Sequence, residues 1–175
     1  MNLRKLTVAD GVNEIPQLVA LLVNVVDDGA SIGFLPPLDV GEAETYWRDV
    51  LESVHSGKVH MWVAEVAGQI VGTIQLAPSL KGNARHRAEV QKLMVHTAFR
   101  QRGIARTLML TAEAEAHALP RKLLVLDTRE GDPSNRLYLS LGYVEAGRIP
   151  YFAENGDGNL DTTVLYYKLI SSDGI

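Results

Sequence analysis

Arg100-Gln101-Arg102-Gly103-Ile104-Ala105 lies between an extended apolar run and a helical one, and its reading decides the fold. It crowds cations where a helix begins. The first turn of a helix carries partial positive charge on backbone N–H groups that have no intrahelical partner. Arg100, Arg102 and Arg106 are therefore misplaced there unless an anion joins them. Gly103 admits close approach of the backbone and Ala105 is nearly as small, so N–H groups can point into an oxyanion such as a phosphate. For three arginines alone, a solvated basic turn is the competing reading.

The flanking segments favour the first reading. Upstream, Arg87 to His96 reads as a strand. Downstream, Ile104, Leu108, Ala112, Ala116 and Leu119 form one stripe of a helix from Arg102 to Leu119, closed by Pro120. Leu123 to Asp127 is almost wholly apolar, as a strand buried on both faces must be. Strand, helix, strand is the pattern of a parallel crossover that leaves the helix start facing a cleft.

The rest of the chain alternates in the same way. Leu3 to Val8 predicts a strand, and Ile15, Leu18, Val19, Leu22 and Val26 predict a helix from Glu14 to Val26, stopped by Asp27-Asp28-Gly29. A Gly- and Pro-bearing loop, Ala30 to Leu38, leads to a second helix from Gly41 to Val54. His60 to Val66 and Gln69 to Ala77 predict a hairpin turning at Ala67-Gly68. Pro133 opens a short helix to Leu141, and strands at Tyr143 to Ile149 and Thr162 to Leu169 complete the sheet. Asn155-Gly156-Asp157-Gly158 supplies the last turn. The expectation is a single α/β domain spanning residues 1–175, with a mixed sheet.

Composition excludes several classes. A chain of 175 residues, 46% hydrophobic and 22% charged, has the makings of one core. A net charge of −4 without a Lys/Arg block argues against nucleic-acid binding. The absence of cysteine excludes disulfides, thiolate metal sites and an enzyme-bound thioester intermediate. His55, His60, His86, His96 and His117 form no i,i+3 or i,i+4 pair, so no metal is expected. Leu18 to Val26, broken by Asn24, is too short to span a bilayer, and Met1 to Lys5 has no apolar signal core, so a cytoplasmic enzyme is expected. Neither the lysine-bearing P-loop nor the three-glycine dinucleotide fingerprint is present.

Val90-Gln91-Lys92-Leu93-Met94-Val95 followed by Arg100 to Ala105 fits a Q/R-x-x-G-x-G/A pattern and resembles the acetyl-CoA-binding core of the GNAT superfamily of N-acetyltransferases. Asn135, Tyr138 and Leu141-Gly142-Tyr143 look like the family's downstream segment, and the resemblance covers about Val63 to Leu169. It implies a central, mostly antiparallel twisted sheet with one splayed parallel pair, flanked by about four helices. It implies acetyl-CoA as donor, with no metal, and a small-molecule amine as acceptor. It also implies that backbone N–H groups of Gln101, Arg102, Gly103, Ile104, Ala105 and Arg106 hold the pyrophosphate. Leu93, Met94 and Val95 would then splay from Leu123 to Leu126 to bond the pantetheine arm, with Asn135 and Tyr138 beside it. Ala30 to Phe34, Arg87 to Val95 and the tail around Pro150-Tyr151 resemble one member that acetylates a small β-lactam amino acid, which implies an amino-acid-like acceptor and a toxin-resistance role. A homodimer follows from family behaviour alone.

Acetyl transfer to an amine needs a neutral nucleophile, a polarised thioester carbonyl and a proton for the thiolate. Without cysteine, direct attack in a ternary complex is favoured. Tyr138 is the candidate acid, on the resemblance and on its place one turn past Asn135, or else a half-buried aromatic that only packs. Glu89 and Gln91 share one face of a strand, so Glu89 is a candidate base with its pKa raised by burial, or else an edge carboxylate paired with Arg87 or Lys92. Asp127 emerges at the carboxyl end of a buried strand and can serve as base, hold the substrate ammonium, or merely begin a turn. Strict alternation turns Lys92 to the opposite face from Gln91 unless a bulge intervenes, so it is given no chemical role. Phe34, Gln91, Asp127 and Tyr151 are expected to touch the acceptor, with the loops Gly29 to Leu38 and Gly147 to Asn159 as walls. A non-catalytic acyl-CoA-binding sensor or partner module is the alternative function.

Overall fold

The computed structural model describes residues 1–170. Seven strands form one sheet: β1 (Asn2–Lys5), β2 (His60–Val66), β3 (Gln69–Pro78), β4 (Arg87–Val95), β5 (Leu123–Arg129), β6 (Val144–Glu154) and β7 (Leu160–Leu169). Their spatial order is β1-β2-β3-β4-β5-β7-β6, antiparallel throughout except for β4 against β5. Four helices flank it: α1 (Val8–Asp27), α2 (Val40–His55), α3 (Ile104–Ala118) and α4 (Pro133–Ser140). This is the expected fold class.

Each face of the sheet has its own core. Trp62, Ile74, Leu76, Val90, Leu124 and Leu126 pack with Leu108, Met109 and Ala112 of α3. Met61, Val63, Ile70 and Met94 pack with Leu18, Leu22 and Trp47 of α1 and α2 on the other side. Burying each such side chain contributes about 1.5–3 kcal/mol, so both helical layers are held firmly. Gly72 lets the layers meet: a Cβ there would lie 2.9 Å from the Met94 carbonyl oxygen and 3.2 Å from Leu108.

Three expectations about element bounds are corrected. Helix α1 starts at Val8, upstream of the apolar spacing, because the Thr7 side chain caps it by accepting from the Asp10 N–H. Strand β1 accordingly ends at Lys5. The stretch predicted as a loop from Gly147 is mostly strand, since the β6–β7 ladder resumes at Ala153↔Asp161 after an irregularity past Ile149. Tyr151 sits in that irregularity with φ +55°.

The feature that makes the site is a short ladder. β4 and β5 pair only at Arg87↔Leu123, Ala88↔Leu124 and Glu89↔Val125. Beyond Glu89, β4 continues to pair with β3, and beyond Val125, β5 continues to pair with β7. The two strands therefore part, and each presents an open edge of backbone groups to the gap.

Candidate active site

A cleft of about 1040 Å³ opens where β4 and β5 part. That is at the top of the usual range for ligand pockets. Its walls are the segment after α1, the splayed half of β4, the start of α3, the end of β5 and the first turns of α4.

At one end lies the start of α3. Gly103 is its N-cap in the left-handed region, φ +78°, with no side-chain cap and no acidic residue in the first turn. The contrast with the other long helices is informative: α1 has Thr7 as cap and Asp10, and α2 has Asp39 as cap and Glu42. The first intrahelical bond of α3 runs from the Thr107 N–H to the Gly103 carbonyl, so the N–H groups of Ile104, Ala105 and Arg106 have no helical acceptor. Gln101, Gly103, Ile104, Ala105 and Arg106 line the cleft.

The arginines divide. Arg100 pairs with Asp28 at 2.5 Å and also donates to the Val95 carbonyl, so part of its charge is answered within the chain. Arg106 donates to Ser140 Oγ at 2.6 Å and stays on the cleft wall. The Arg102 side chain turns away, donating to the Ala98 carbonyl with its guanidinium 5.1 Å from the Phe99 ring centroid. Of Arg102, only the backbone remains a candidate for the anion.

Tyr138 stands in the middle. It is 6% exposed, packs between Tyr143 and Tyr166, and still lines the cleft. Burial, reinforced by the charges of Asp127 and Asp132, pushes its phenol pKa well above the usual value, so it stays protonated across the neutral range. Asn135 does not join it. Its amide donates to the Arg129 and Asp132 carbonyls and its oxygen accepts from Tyr166 Oη at 2.9 Å. With every polar group engaged and no place on the cleft wall, Asn135 pins the β5–α4 turn and so holds Tyr138 indirectly.

The far end carries the titratable side chains. Asp127 accepts from Thr163 Oγ1 at 3.0 Å. Glu89 and Asp127 both line the cleft, but both are exposed. The expectation that Glu89 is buried is therefore corrected, because the splay opens that face of the sheet to solvent. No ion pair joins Glu89 to Arg87 or Lys92 among the described residues.

Lys92 is the functional candidate that strict alternation missed. The β3–β4 ladder passes from Thr73↔Met94 to Gln75↔Gln91, so β4 carries an extra residue there, and Lys92 has φ +51°. The inversion shows in the packing: Val90, Leu93 and Val95 face the α3 core, whereas Met94 faces the α1–α2 core. The bulge keeps Lys92 on the same face as Gln91, inside the cleft. Its Nζ donates to the Ile32 carbonyl and lies 5.8 Å from the ring centroids of both Phe34 and Tyr46. Burial lowers its pKa, while Asp127 and Glu89 oppose that shift through space.

Of the expected acceptor contacts, Gln91 and Asp127 line the cleft, and Phe34 bears on it through Lys92. Tyr151 does not; it is 76% exposed on β6, and its neighbour Phe152 takes the wall instead. Among the described residues no group of three or more His, Asp or Glu side chains could hold a metal ion, and no helix is long and apolar enough to cross a membrane.

A sheet split at its one parallel pair, an uncapped helix start on one side of the split and a buried phenol with carboxylates on the other define a group-transfer enzyme that grips an anionic carrier. Residues 57–145 match the Acetyltransferase (GNAT) domain model, half of the chain, and the chain belongs to that family. It is an acyltransferase that uses acetyl-CoA as donor. Solved structures share the fold. The Brucella melitensis ribosomal-protein-alanine N-acetyltransferase is 24% identical, with 97% of this chain and 100% of that one covered and a TM-score of 0.81. A GNAT-family acetyltransferase from Streptococcus pneumoniae is 20% identical, with 97% and 99% covered and a TM-score of 0.78. The Salmonella typhimurium protein yncA, solved with its cofactor acetyl-CoA, is 18% identical, with 100% and 96% covered and a TM-score of 0.79.

Proposed function

We propose that this acetyltransferase moves the acetyl group to the primary amine of a small molecule by direct attack within a ternary complex. The observation that carries this reading is the single cleft running from the uncapped start of α3, past the Tyr138 phenol, to Glu89 and Asp127. In this reading the backbone N–H groups from Gln101 to Arg106 hold the pyrophosphate, with Arg100 and Arg106 adding charge. The open edge of β4 at Leu93, Met94 and Val95 meets the pantetheine amides.

Asp127 holds the incoming ammonium and accepts its proton directly or through water, with Glu89 as the second carboxylate within reach of the same amine. The nitrogen–carbonyl bond then forms as the carbon–sulfur bond breaks. A thiol of pKa about 8.5 is a stronger acid than the Tyr138 phenol, so Tyr138 acts as a hydrogen-bond donor to the departing sulfur. The proton that remains on the thiol then originates on the amine, delivered through the carboxylate.

Replacing Tyr138 by Phe is expected to lower kcat about 10²-fold while leaving acetyl-CoA binding unchanged. At pH 10, where an ordinary phenol is about half ionised, the raised pKa keeps Tyr138 a donor, so no alkaline fall in rate below that pH is assigned to it. Unchanged turnover in Tyr138→Phe removes the role.

The finer reading of the acceptor is a free amino acid or a β-lactam amino-acid toxin in the cytoplasm. It is supported by the likeness of Ala30 to Phe34, Arg87 to Val95 and Pro150-Tyr151 to the tabtoxin resistance protein. Release of free CoA, followed over amino acids, β-lactam amino acids, polyamines and aminoglycosides, tests it. A homodimer belongs to the same reading, and the edge strand β6, with Val144, Ile149 and Phe152 exposed, is where light scattering of surface variants would look first.

A further inference from the structure

The acceptor end of the cleft holds opposite charges that do not meet. Lys92 is tethered by neutral partners, the Ile32 carbonyl and the faces of Phe34 and Tyr46. Asp127 is tethered on the opposite strand by the Thr163 hydroxyl. Asp127 and Glu89 act on Lys92 through space, with no hydrogen bond to either. Lys92 is half-buried while Asp127 and Glu89 are exposed, and no ion pair closes the space between them. Here the bulge, an aromatic corner and a threonine hold them apart. The gap between them lies in the cleft assigned to the acceptor.

We infer that Lys92 is a specificity-determining residue that receives a carboxylate on the acceptor, so that the preferred acceptor is a zwitterion whose amine faces Asp127 and Glu89. The inference rests on the reading of this cleft as the acetyl-transfer site, and it extends that reading from an amine to an amine with an anionic partner at fixed spacing. An ammonium on Lys92 has three donors; the Ile32 carbonyl takes one, leaving donors for a carboxylate. Such charge-assisted bonds are roughly twice as strong as neutral ones. The aromatic faces of Phe34 and Tyr46 stabilise the cation while leaving it able to bond the ligand.

The test is a comparison of matched acceptors: each of the twenty amino acids, its carboxamide and its decarboxylated amine, with wild type, Lys92→Met and Lys92→Arg. Wild type is expected to favour carboxylate-bearing members at least tenfold in kcat/KM, with most of the difference in KM. Lys92→Met is expected to lose that preference, its kcat/KM for carboxylate-bearing acceptors falling to the level of their carboxylate-free partners, and Lys92→Arg to recover part of it. Equal use of both kinds of acceptor by wild type overturns the inference without any variant having to fold. A Lys92→Met enzyme that keeps the preference overturns it too, as does a panel in which no amino acid is acetylated. Calorimetric titration of acetyl-CoA involves no acceptor. Its failure would remove the reading of the whole site, whereas normal binding with indifferent acceptor choice removes only the role of Lys92.

Discussion

The two ends of the cleft are built by opposite means. The donor end is one contiguous stretch, Leu93 to Arg106, that presents mainly backbone: the open edge of β4 and the uncapped start of α3. The acceptor end is assembled from side chains on β4, β5 and β7 and on the segment after α1, with Lys92, Asp127 and Thr163 each fixed by a partner far away in sequence. Backbone recognition tolerates sequence change and suits a carrier shared by every member of a family. Side-chain recognition is retuned one residue at a time and suits a substrate that differs between members.

If the ends are separable, changes in one must leave the other's ligand alone. The largest effect is expected from Asp127→Asn, which removes the carboxylate but keeps the size and the Thr163 contact. Amine kcat/KM should fall by about 10²-fold or more, with acetyl-CoA affinity unchanged by calorimetry. Equal weakening of acetyl-CoA would mean that the two ends are not independent. Next comes Gly103→Val. A Cβ there meets nothing within 4 Å, so steric collision is not the issue. A β-branched residue at φ +78° is strained by about 1–3 kcal/mol and will pull the α3 start out of shape, raising the acetyl-CoA Kd by roughly 10- to 100-fold. The smallest effect is expected from Arg106→Ala, an exposed cation worth only a few-fold in Kd, and that loss should shrink further as salt is raised from low to physiological strength. A large, salt-independent loss would move the weight of anion binding from backbone to side chain.

This division also governs what could be read from the sequence. The uncapped helix start beside the cleft is legible because its parts are adjacent: cations at a helix start, a glycine and a small residue following a strand. The strand–helix–strand core and the β2–β3 hairpin were legible for the same reason, since period and turn chemistry are local. Lys92 was not. Leu93, Met94 and Val95 are all apolar, so either register of the strand reads equally well, and nothing local marks an extra residue. The available signal was the lysine itself, a long cation inside the apolar run from Val90 to Val95. Its tether, Ile32, lies in another part of the chain. Alternation puts Glu89 on the face that lines the cleft but does not reveal that this face is exposed, because its exposure depends on where two strands part. The resemblance puts Asn135 on the cofactor, yet its amide is consumed by two bonds to the β5–α4 turn and one from the distant Tyr166.

Every other assignment in the cleft depends on acetyl-CoA being held by the open backbone of β4 and the uncapped start of α3. Calorimetric titration of acetyl-CoA into wild type and Gly103→Val, with circular dichroism to show that the variant is folded, tests it most directly. Saturable binding to wild type at one site per chain is expected, weakened by roughly 10- to 100-fold in the variant. Absence of saturable binding to wild type, or equal affinity in a folded Gly103→Val, would contradict it.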